Sequence, residues 1–488
     1  MVSRFLPLAG NLLLMSSPIV AQPISPGPQA RVLSATWDGS DQPYNLFVPS
    51  AHASGEALPL LVVLHGKGAT WESWFAATNV CDWAEQEGLI VLAPHGRGDW
   101  FYRGPGEQDV LDAIAEVQRL CRVDPDRISL MGHSMGGWGA WYLGCTHPDR
   151  FATVIPMSGW APLDLLPNAR HLAPLIIHGD ADEVVPPSGS REASRVLTEL
   201  GIGHRLTIAP GVGHESSLIS TVLPLAGEHL RTRRRVERPR EITLRAASPA
   251  RGRSHWLAIR DTGHFPNTAG IDASIDGDLI RIRTNSVRAF TIDPARAPLR
   301  DPSRFRVLVD HHEYDLSTGA GQVALFTRTH RSWMFAPMPR REDVPPPSPV
   351  VGRFNGPPEE LVHAVVEVMR LRTDAEAGLM NADFIAPVLR DPEITADALL
   401  DLYLRPEDQL HSAQLSVGTI IESEEDWYPA WWGELIAEPP LDDLDPARVV
   451  TVVTVEPLAQ RLPVQTTPLR ITLRELLFNH LQQTGEIP

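Results

Sequence analysis

Residues 128–137 read Ile-Ser-Leu-Met-Gly-His-Ser-Met-Gly-Gly, and few short stretches restrict a fold so narrowly. The run Ile128–Met131 predicts a strand, and the residues after Ser134 predict a helix. Ser134 then stands on a sharp strand-to-helix turn in strained backbone geometry, with Gly132 and Gly136 leaving room for neighbouring backbone. The first turn of the helix directs its unpaired N–H groups toward charge that develops beside the serine.

A turn of this kind needs a sheet around it, and the flanking sequence supplies one. Val32 to Val48 reads as a strand pair, followed by the buried strand Leu60–Leu64 and a helix from Trp71 to Gln86. Leu89–Ala93 is the next strand, then a helix from Asp109 to Leu120 with Asp109 as its N-cap. Phe151–Met157 and Leu175–His178 continue the series. Uninterrupted apolar strands separated by helices predict a mostly parallel sheet covered on both faces.

A serine hydroxyl is a weak nucleophile at neutral pH, so it needs a base, and the base needs an acid to orient it. Asp182 lies 48 residues after Ser134, just past the strand at Leu175, and His214 follows 32 residues later within Gly211–Ser217. Both fall on loops at the edge of the sheet that carries Ser134. Asp180 competes for the acid but sits closer to the strand end. His204 competes for the base but precedes a strand. Leu64-His65-Gly66-Lys67-Gly68, after the early strand, supplies a second loop. Its Lys67 N–H, with the N–H of Met135, forms the expected oxyanion hole. His65, His95, His133 and His178 read as packing or loop residues.

With these motifs in order, Leu60 to about Ser217 resembles the esterase and prolyl-oligopeptidase-like branch of α/β-hydrolases, which includes feruloyl-esterase-like and polyhydroxybutyrate-depolymerase-like enzymes. The matching residues are His65-Gly66, Gly132 to Gly137, His178-Gly179 with Asp182 and Val185-Pro186, and Gly213-His214. The resemblance implies a serine hydrolase with no metal and no organic cofactor, and says little about substrate. Some fifteen residues separate Gly159 from the strand at Leu175, too few for a helical lid. An open cleft suits a bulky or polymer-attached ester, and Trp100, Phe101, Tyr102 and Arg103 are its candidate wall. About 30 residues separate the N-terminal apolar segment from the first core strands, with no room for the propeller that gates prolyl oligopeptidases. An ester is therefore preferred to a peptide, with a serine peptidase as the alternative. A non-catalytic binding protein on a hydrolase scaffold is the alternative of another class.

Composition narrows the partners. Hydrophobic residues make up 43% and charged ones 21%, as in globular proteins, and the net charge of −17 argues against nucleic acid. Lys67 is the only lysine. Cys81, Cys121 and Cys145 suit helix packing, show no zinc or redox spacing, and leave one disulfide open. Arg4 and the interrupted apolar run Phe5–Val20, ending at Ala21, read as an export signal over 1–21, which predicts a secreted or periplasmic protein. No segment reads as a membrane span.

The hydrolase reading covers residues 30–235. The Arg-rich run Arg231–Arg240 reads as a solvated linker. From 240 to 336 the pattern turns to period two, as in Asp278-Leu279-Ile280-Arg281-Ile282-Arg283, and predicts a small antiparallel β-sandwich. Residues 337–358 are Pro-rich and read as a stiff linker. Residues 359–488 read as mixed α/β. Leu379–Phe384, Glu393–Leu399 and Leu415–Glu422 resemble the C-terminal substrate-binding domain of 5′-nucleotidases. Asp383-Phe384-Ile385-Ala386 lacks that family's arginine, and Glu456–Gln460 replaces its glycine-rich loop. Its metal-binding phosphoesterase domain has no counterpart, so a non-catalytic docking module is expected. There Trp427, Tyr428, Trp431 and Trp432 either stack on a ligand or fill a core.

Overall fold

A computed structural model describes residues 24–263, 268–330, 332–340, 350–354, 361–373, 375, 377–381, 393–395, 409–416, 435–438, 447–455, 466–484 and 486–487. The first unit is an eight-stranded sheet of β1 (Gly27–Ser34), β2 (Asp41–Val48), β3 (Leu58–Leu64), β4 (Ile90–Pro94), β5 (Val123–His133), β6 (Thr153–Met157), β7 (Leu175–Gly179) and β8 (Arg205–Ala209). Their order is β1-β2-β4-β3-β5-β6-β7-β8, and every pair from β4 to β8 is parallel. The antiparallel β1–β2 hairpin adds to the β4 edge.

Period-two alternation explains why the sheet is buried on both faces. Leu60, Val62 and Leu64 of β3 pack on one side with residues of α3 (Pro105–Leu120), α4 (Met135–Thr146) and α5 (Ser188–Glu199). Leu61 and Val63 pack on the other with α1 (Ser73–Ala77), α2 (Val80–Glu87) and α6 (Ser217–Arg231). Each face needs its own helical cover, which the βαβ connections provide. In α4 all twelve residues are buried, so it is the central helix of its layer.

The structure corrects several local expectations. The helix expected over Trp71–Gln86 is two short pieces, α1 and α2, broken at Thr78-Asn79. Asp109 is not an N-cap. Helix α3 begins at Pro105 after Gly104, and Asp109 is buried within it, 2.5 Å from the Arg97 guanidinium. Proline at the first helical position loses no hydrogen bond, so it displaces the later start. Cys121 caps α3 rather than lying on it, and all three cysteines are free.

The Arg231–Arg240 run is largely exposed, as expected, and three of its arginines also pair with carboxylates of the hydrolase unit. Arg231 pairs with Glu87, Arg234 with Asp124 and Arg235 with Asp126, while Arg238 donates to the carbonyls of Arg296 and Ala297. Charges this dense favour neighbouring carboxylates, which only the folded chain brings close.

Residues 241–339 form two five-stranded sheets around one core. One contains β9 (Glu241–Ala246), β12 (Ala269–Asp276), β13 (Leu279–Asn285), β15 (Arg304–Val309) and β16 (His312–Ser317). The other contains β10 (Arg253–Ser254), β11 (Leu257–Thr262), β14 (Val287–Ile292), β17 (Gln322–Arg328) and β18 (Trp333–Pro339). The pairing is not wholly antiparallel, because β13 and β15 run parallel. Their connection passes through β14 in the opposite sheet, so the strand re-enters in the same direction. Phe290 and Phe326 stack at 5.0 Å, with Trp333 edge-on to Phe290.

The short connection from Gly159 to Leu175 joins these two units. It forms one 3-10 turn, Leu166–His171, that packs on β9. Asn168 accepts from the Arg245 N–H at 2.6 Å and donates to the Arg245 carbonyl at 2.8 Å. Buried Glu107 adds a second tie to Arg251 at 3.0 Å, and it also contacts His147 at 2.7 Å and Tyr142 at 3.0 Å. Arg251 leads, with help from His147 and the Tyr142 hydroxyl, in overcoming burial and holding this carboxyl down at about 2.

Further along, β19 (Val350–Phe354), β21 (Glu393–Thr395) and β26 (Glu486–Ile487) form one sheet. Strands β20 (Ala377–Asn381), β22 (Gln409–Ser416), β23 (Leu435–Glu438), β24 (Val449–Val455) and β25 (Thr467–Thr472) form another, with α7 (Leu361–Thr373) and α8 (Leu473–Thr484). The expected stiff linker over 337–358 is interrupted by structure, since 337–339 end β18 and 350–354 form β19. Its residues 341–349 and 355–358, the expected export signal, residues 382–386, 396–399, 417–422 and 456–460 of the nucleotidase-like motifs and the aromatic cluster at 427–432 lie outside the described residues.

Candidate active site

Three loops at the C-terminal edge of the sheet converge. Ser134 follows β5 and precedes α4, with φ +58° and ψ −120°. This strained conformation is held by tight neighbours. A Cβ on Gly136 would stand 2.0 Å from the Leu64 carbonyl oxygen, and one on Gly132 would stand 2.0 Å from the Gly136 carbonyl oxygen. Only glycine permits both approaches. The Ser134 N–H is tied to the Met157 carbonyl at 2.9 Å.

His214 and Asp182 come from the loops after β8 and β7. The His214 Nε2 lies 2.8 Å from the Ser134 Oγ, and its Nδ1 lies 2.7 Å from the Asp182 Oδ2. The other carboxylate oxygen of Asp182 accepts from the N–H groups of Val184 at 3.0 Å and Val185 at 2.8 Å. Burial pushes the Asp182 carboxyl up, but hydrogen bonds from His178, His214 and the Val185 N–H outweigh it and hold the group well below the usual range. Asp182 is thus a fixed anion placed to accept a hydrogen bond from an Nδ1–H of His214, the tautomer that would leave Nε2 facing the Ser134 hydroxyl as an acceptor.

The competitors are accounted for elsewhere. Asp180 accepts from the Gly211 N–H at 2.6 Å, so it braces the loop that carries His214. His204 pairs with Ser194 at 2.7 Å.

The loop after β3 lies against the serine, since a Cβ on Gly66 would stand 3.4 Å from the Ser134 Cβ. The carbonyls of Leu64 and His65 lie against Gly136, in the first turn of α4, and Lys67 is the next residue of that loop after Gly66. The first main-chain bond of α4 runs from the Trp138 N–H to Ser134, so the Met135 N–H is one of the donors a helix leaves unpaired. His65 braces the loop between the Gly66 and His95 carbonyls, at 2.8 and 2.9 Å.

Two members of the expected wall, Tyr102 and Arg103, are buried and cannot line an open cleft. Tyr102 is fully buried, donating to the His65 carbonyl at 2.9 Å, and Arg103 is buried over the Tyr142 ring. Both belong to the core, because the loop folds inward beneath Gly139. Trp100 and Phe101 remain half-exposed. Phe101 faces Trp160 at 6.3 Å, and Trp160 faces Trp138 at 5.7 Å. Trp160 sits three residues past Met157, whose carbonyl holds Ser134, so it borders the same edge. Nothing local in the sequence marked it.

Two histidines read as packing residues lie against Asp182 and His214. His178 is buried, with Nε2 2.8 Å from the Val185 carbonyl and 3.3 Å from Asp182. Its spacing of four residues from Asp182 was the available signal. His133 lies behind the base, with ring centroids 4.9 Å apart. Burial first, and then His214, push its pKa down to about 3, so it stays neutral beside the base.

Among the described residues no cluster of His, Cys, Asp or Glu suits a metal, and no helix is long and apolar enough to cross a membrane.

Known proteins resemble this first unit. The Phospholipase/Carboxylesterase family matches residues 107–232, and the Esterase family matches residues 37–167. "Putative esterase NocK" of Nocardia uniformis is 31% identical over 178 residues, covering 33% of this chain and 52% of that protein. "Probable feruloyl esterase C" of Aspergillus flavus is 27% identical over 200 residues, covering 39% of this chain and 74% of that protein. The chain therefore spans about half the length of the first relative and three quarters of the second. The solved S-formylglutathione hydrolase FrmB of Staphylococcus aureus aligns over 42% of this chain and 98% of its own, at 17% identity and a TM-score of 0.39. The matched region is an esterase-like α/β-hydrolase, of the serine hydrolase class.

Proposed function

We propose that this esterase-like unit hydrolyses carboxylic esters through an acyl-enzyme, with Ser134 as nucleophile, His214 as general base and then acid, and Asp182 as the orienting anion. The observation that carries the reading is the continuous chain Ser134 Oγ, His214, Asp182 at 2.8 and 2.7 Å. His214 takes the serine proton as Oγ attacks the acyl carbon, and returns it to the departing alcohol. The N–H groups of Met135 and Lys67 face the oxyanion, and two such donors are worth on the order of 3 kcal/mol each in the transition state. Water, activated by the same His214, then releases the acid.

The substrate is a bulky ester, attached to a polymer or to a large alcohol, and the enzyme is exported. Two features favour this reading over a small buried substrate. The segment where a lid would stand is engaged with β9 through Asn168. Phe101 and Trp160 offer an aromatic surface beside the serine that suits a planar acyl group, and the feruloyl esterase relatives agree with that chemistry. A serine peptidase is the second reading, carried by the 28% identity over 144 residues to a dipeptidyl-peptidase 5 of Porphyromonas gingivalis.

Labelling with a fluorophosphonate probe, together with turnover of p-nitrophenyl acetate, methyl ferulate and a dipeptidyl anilide, tests the reading. Wild type is expected to label and to cleave the esters, and Ser134→Ala to do neither. A folded wild type that neither labels nor turns over would overturn it, and anilide cleavage outrunning the esters would favour the peptidase.

A further inference from the structure

A second site lies away from the serine. The junction between the hydrolase and the β-sandwich holds a cleft of about 680 Å³, within the size range of small-ligand pockets. Thr146 and His147, at the end of α4, form part of its border. Ser134 stands at the other end of that twelve-residue helix, about 18 Å away at 1.5 Å per residue.

The charge of the cleft is opposite to that of the chain. Seven arginines line it against two carboxylates, Asp149 and Glu237, whereas the whole protein carries −17. Several of these arginines hold the fold together, as Arg251 does with Glu107 and Arg235 with Asp126. Arg150 and Arg238 are placed differently. Arg150 is exposed, and its side chain meets no acceptor among the described residues. Arg238 donates to the main-chain carbonyls of Arg296 and Ala297, which orient its guanidinium without neutralising it. A planar guanidinium held in this way presents a fork that matches two oxygens of one oxyanion. Among the described residues the cleft's only aromatic rings are the imidazoles of His147 and His255, and no Phe, Tyr or Trp lines it as a platform on which nucleic-acid bases would stack.

We propose that this cleft binds a multivalent oxyanion, a ligand carrying two or more carboxylate, sulfate or phosphate groups, with Arg150 and Arg238 as its main contacts. The inference is independent of the serine chemistry. It assigns the β-sandwich a part in recognition, since that unit supplies one wall of the cleft.

Calorimetric titration of the full chain tests this with tripolyphosphate, trigalacturonate and sucrose octasulfate, and with maltotriose as the neutral control. At low salt at least one anion is expected to bind with submillimolar affinity while maltotriose does not, and the ranking among anions identifies the group preferred. Raising sodium chloride from 50 to 500 mM is expected to weaken binding about tenfold by screening. Arg150→Ala should weaken it about fivefold, and Arg150→Ala with Arg238→Gln by more than tenfold, with folding checked by circular dichroism. Arg195→Gln on α5 and Ser134→Ala should bind as wild type. Absence of binding by all three anions at low salt would overturn the proposal. So would equal affinities for wild type and Arg150→Ala, an exposed substitution that leaves the fold intact.

Discussion

Replacing Asp182 by Asn changes one atom of the proposed triad and tests what the carboxylate does. In the natural chain one oxygen faces the His214 Nδ1 at 2.7 Å, and the other accepts from the Val184 and Val185 N–H groups at 3.0 and 2.8 Å. An Asn that keeps its oxygen toward the two N–H groups must turn its NH₂ toward Nδ1. The imidazole then carries its proton on Nε2, where it cannot accept from Ser134. An Asn that flips restores the right tautomer but sets its NH₂ against two N–H donors. Each unsatisfied buried donor costs about 1–3 kcal/mol, so the flip costs about 2–6 kcal/mol. The contact of His178 with the same oxygen, at 3.3 Å, is the weaker claim, because His178 already donates to the Val185 carbonyl at 2.8 Å. At 1.36 kcal/mol per factor of ten, the competent population falls by about 30-fold to 10⁴-fold. We expect kcat/KM for p-nitrophenyl acetate to drop within that range with KM little changed, while Asp180→Asn stays within about threefold of wild type. Asp182→Asn retaining more than a tenth of wild-type kcat/KM, with folding intact, would refute the reasoning.

Three further outcomes are expected. Gly136→Ala would drive a methyl group to 2.0 Å from the Leu64 carbonyl oxygen, so we expect a strongly destabilised protein without probe labelling, checked by thermal melting and fluorophosphonate reactivity. Glu107→Gln leaves Arg251 largely buried without its anion, and urea unfolding is expected to show a loss of about 3 kcal/mol. The folded pKa of Glu107 is depressed from 4.5 to about 2. Its contribution is therefore full above pH 4.5 and disappears as pH falls toward 2, so wild type and Glu107→Gln should converge at the acid end of a pH series. Burial also lowers His133 from 6.5 to about 3, and His229 and His255 to about 4. Unfolding then takes up protons below pH 6.5, and stability should decline steadily from pH 7 to pH 4. His255→Asn, which tolerates the positive φ found there, should flatten that decline in urea midpoints, and an unchanged slope would count against the buried neutral state.

How much of this was written in the chain depends on the range of the forces involved. The strand–serine–helix turn, the doubly buried parallel strands and the order Ser134, Asp182, His214 are local or periodic signals, because side-chain alternation and glycine's steric freedom act over a few residues. Asp182 and Asp180 differ for the same reason: two residues along a loop change which way a carboxylate faces, and only Asp182 meets His214. The period-two stretch after Arg240 likewise announced a sandwich. Only the packed molecule decided the rest. Tyr102 and Arg103 are core residues because a distant Gly139 opens space for the ring, and nothing in their own segment says so. That Arg231, Arg234 and Arg235 meet Glu87, Asp124 and Asp126 while staying at the surface could be decided only by folding. Trp160, His178 and the arginine cleft owe their positions to contacts between segments far apart in sequence. Such contacts carry no periodicity of their own. The chain therefore specified the Ser134 turn through short motifs, while the supports around it, and the arginine cleft at the far end of α4, arose from long-range packing.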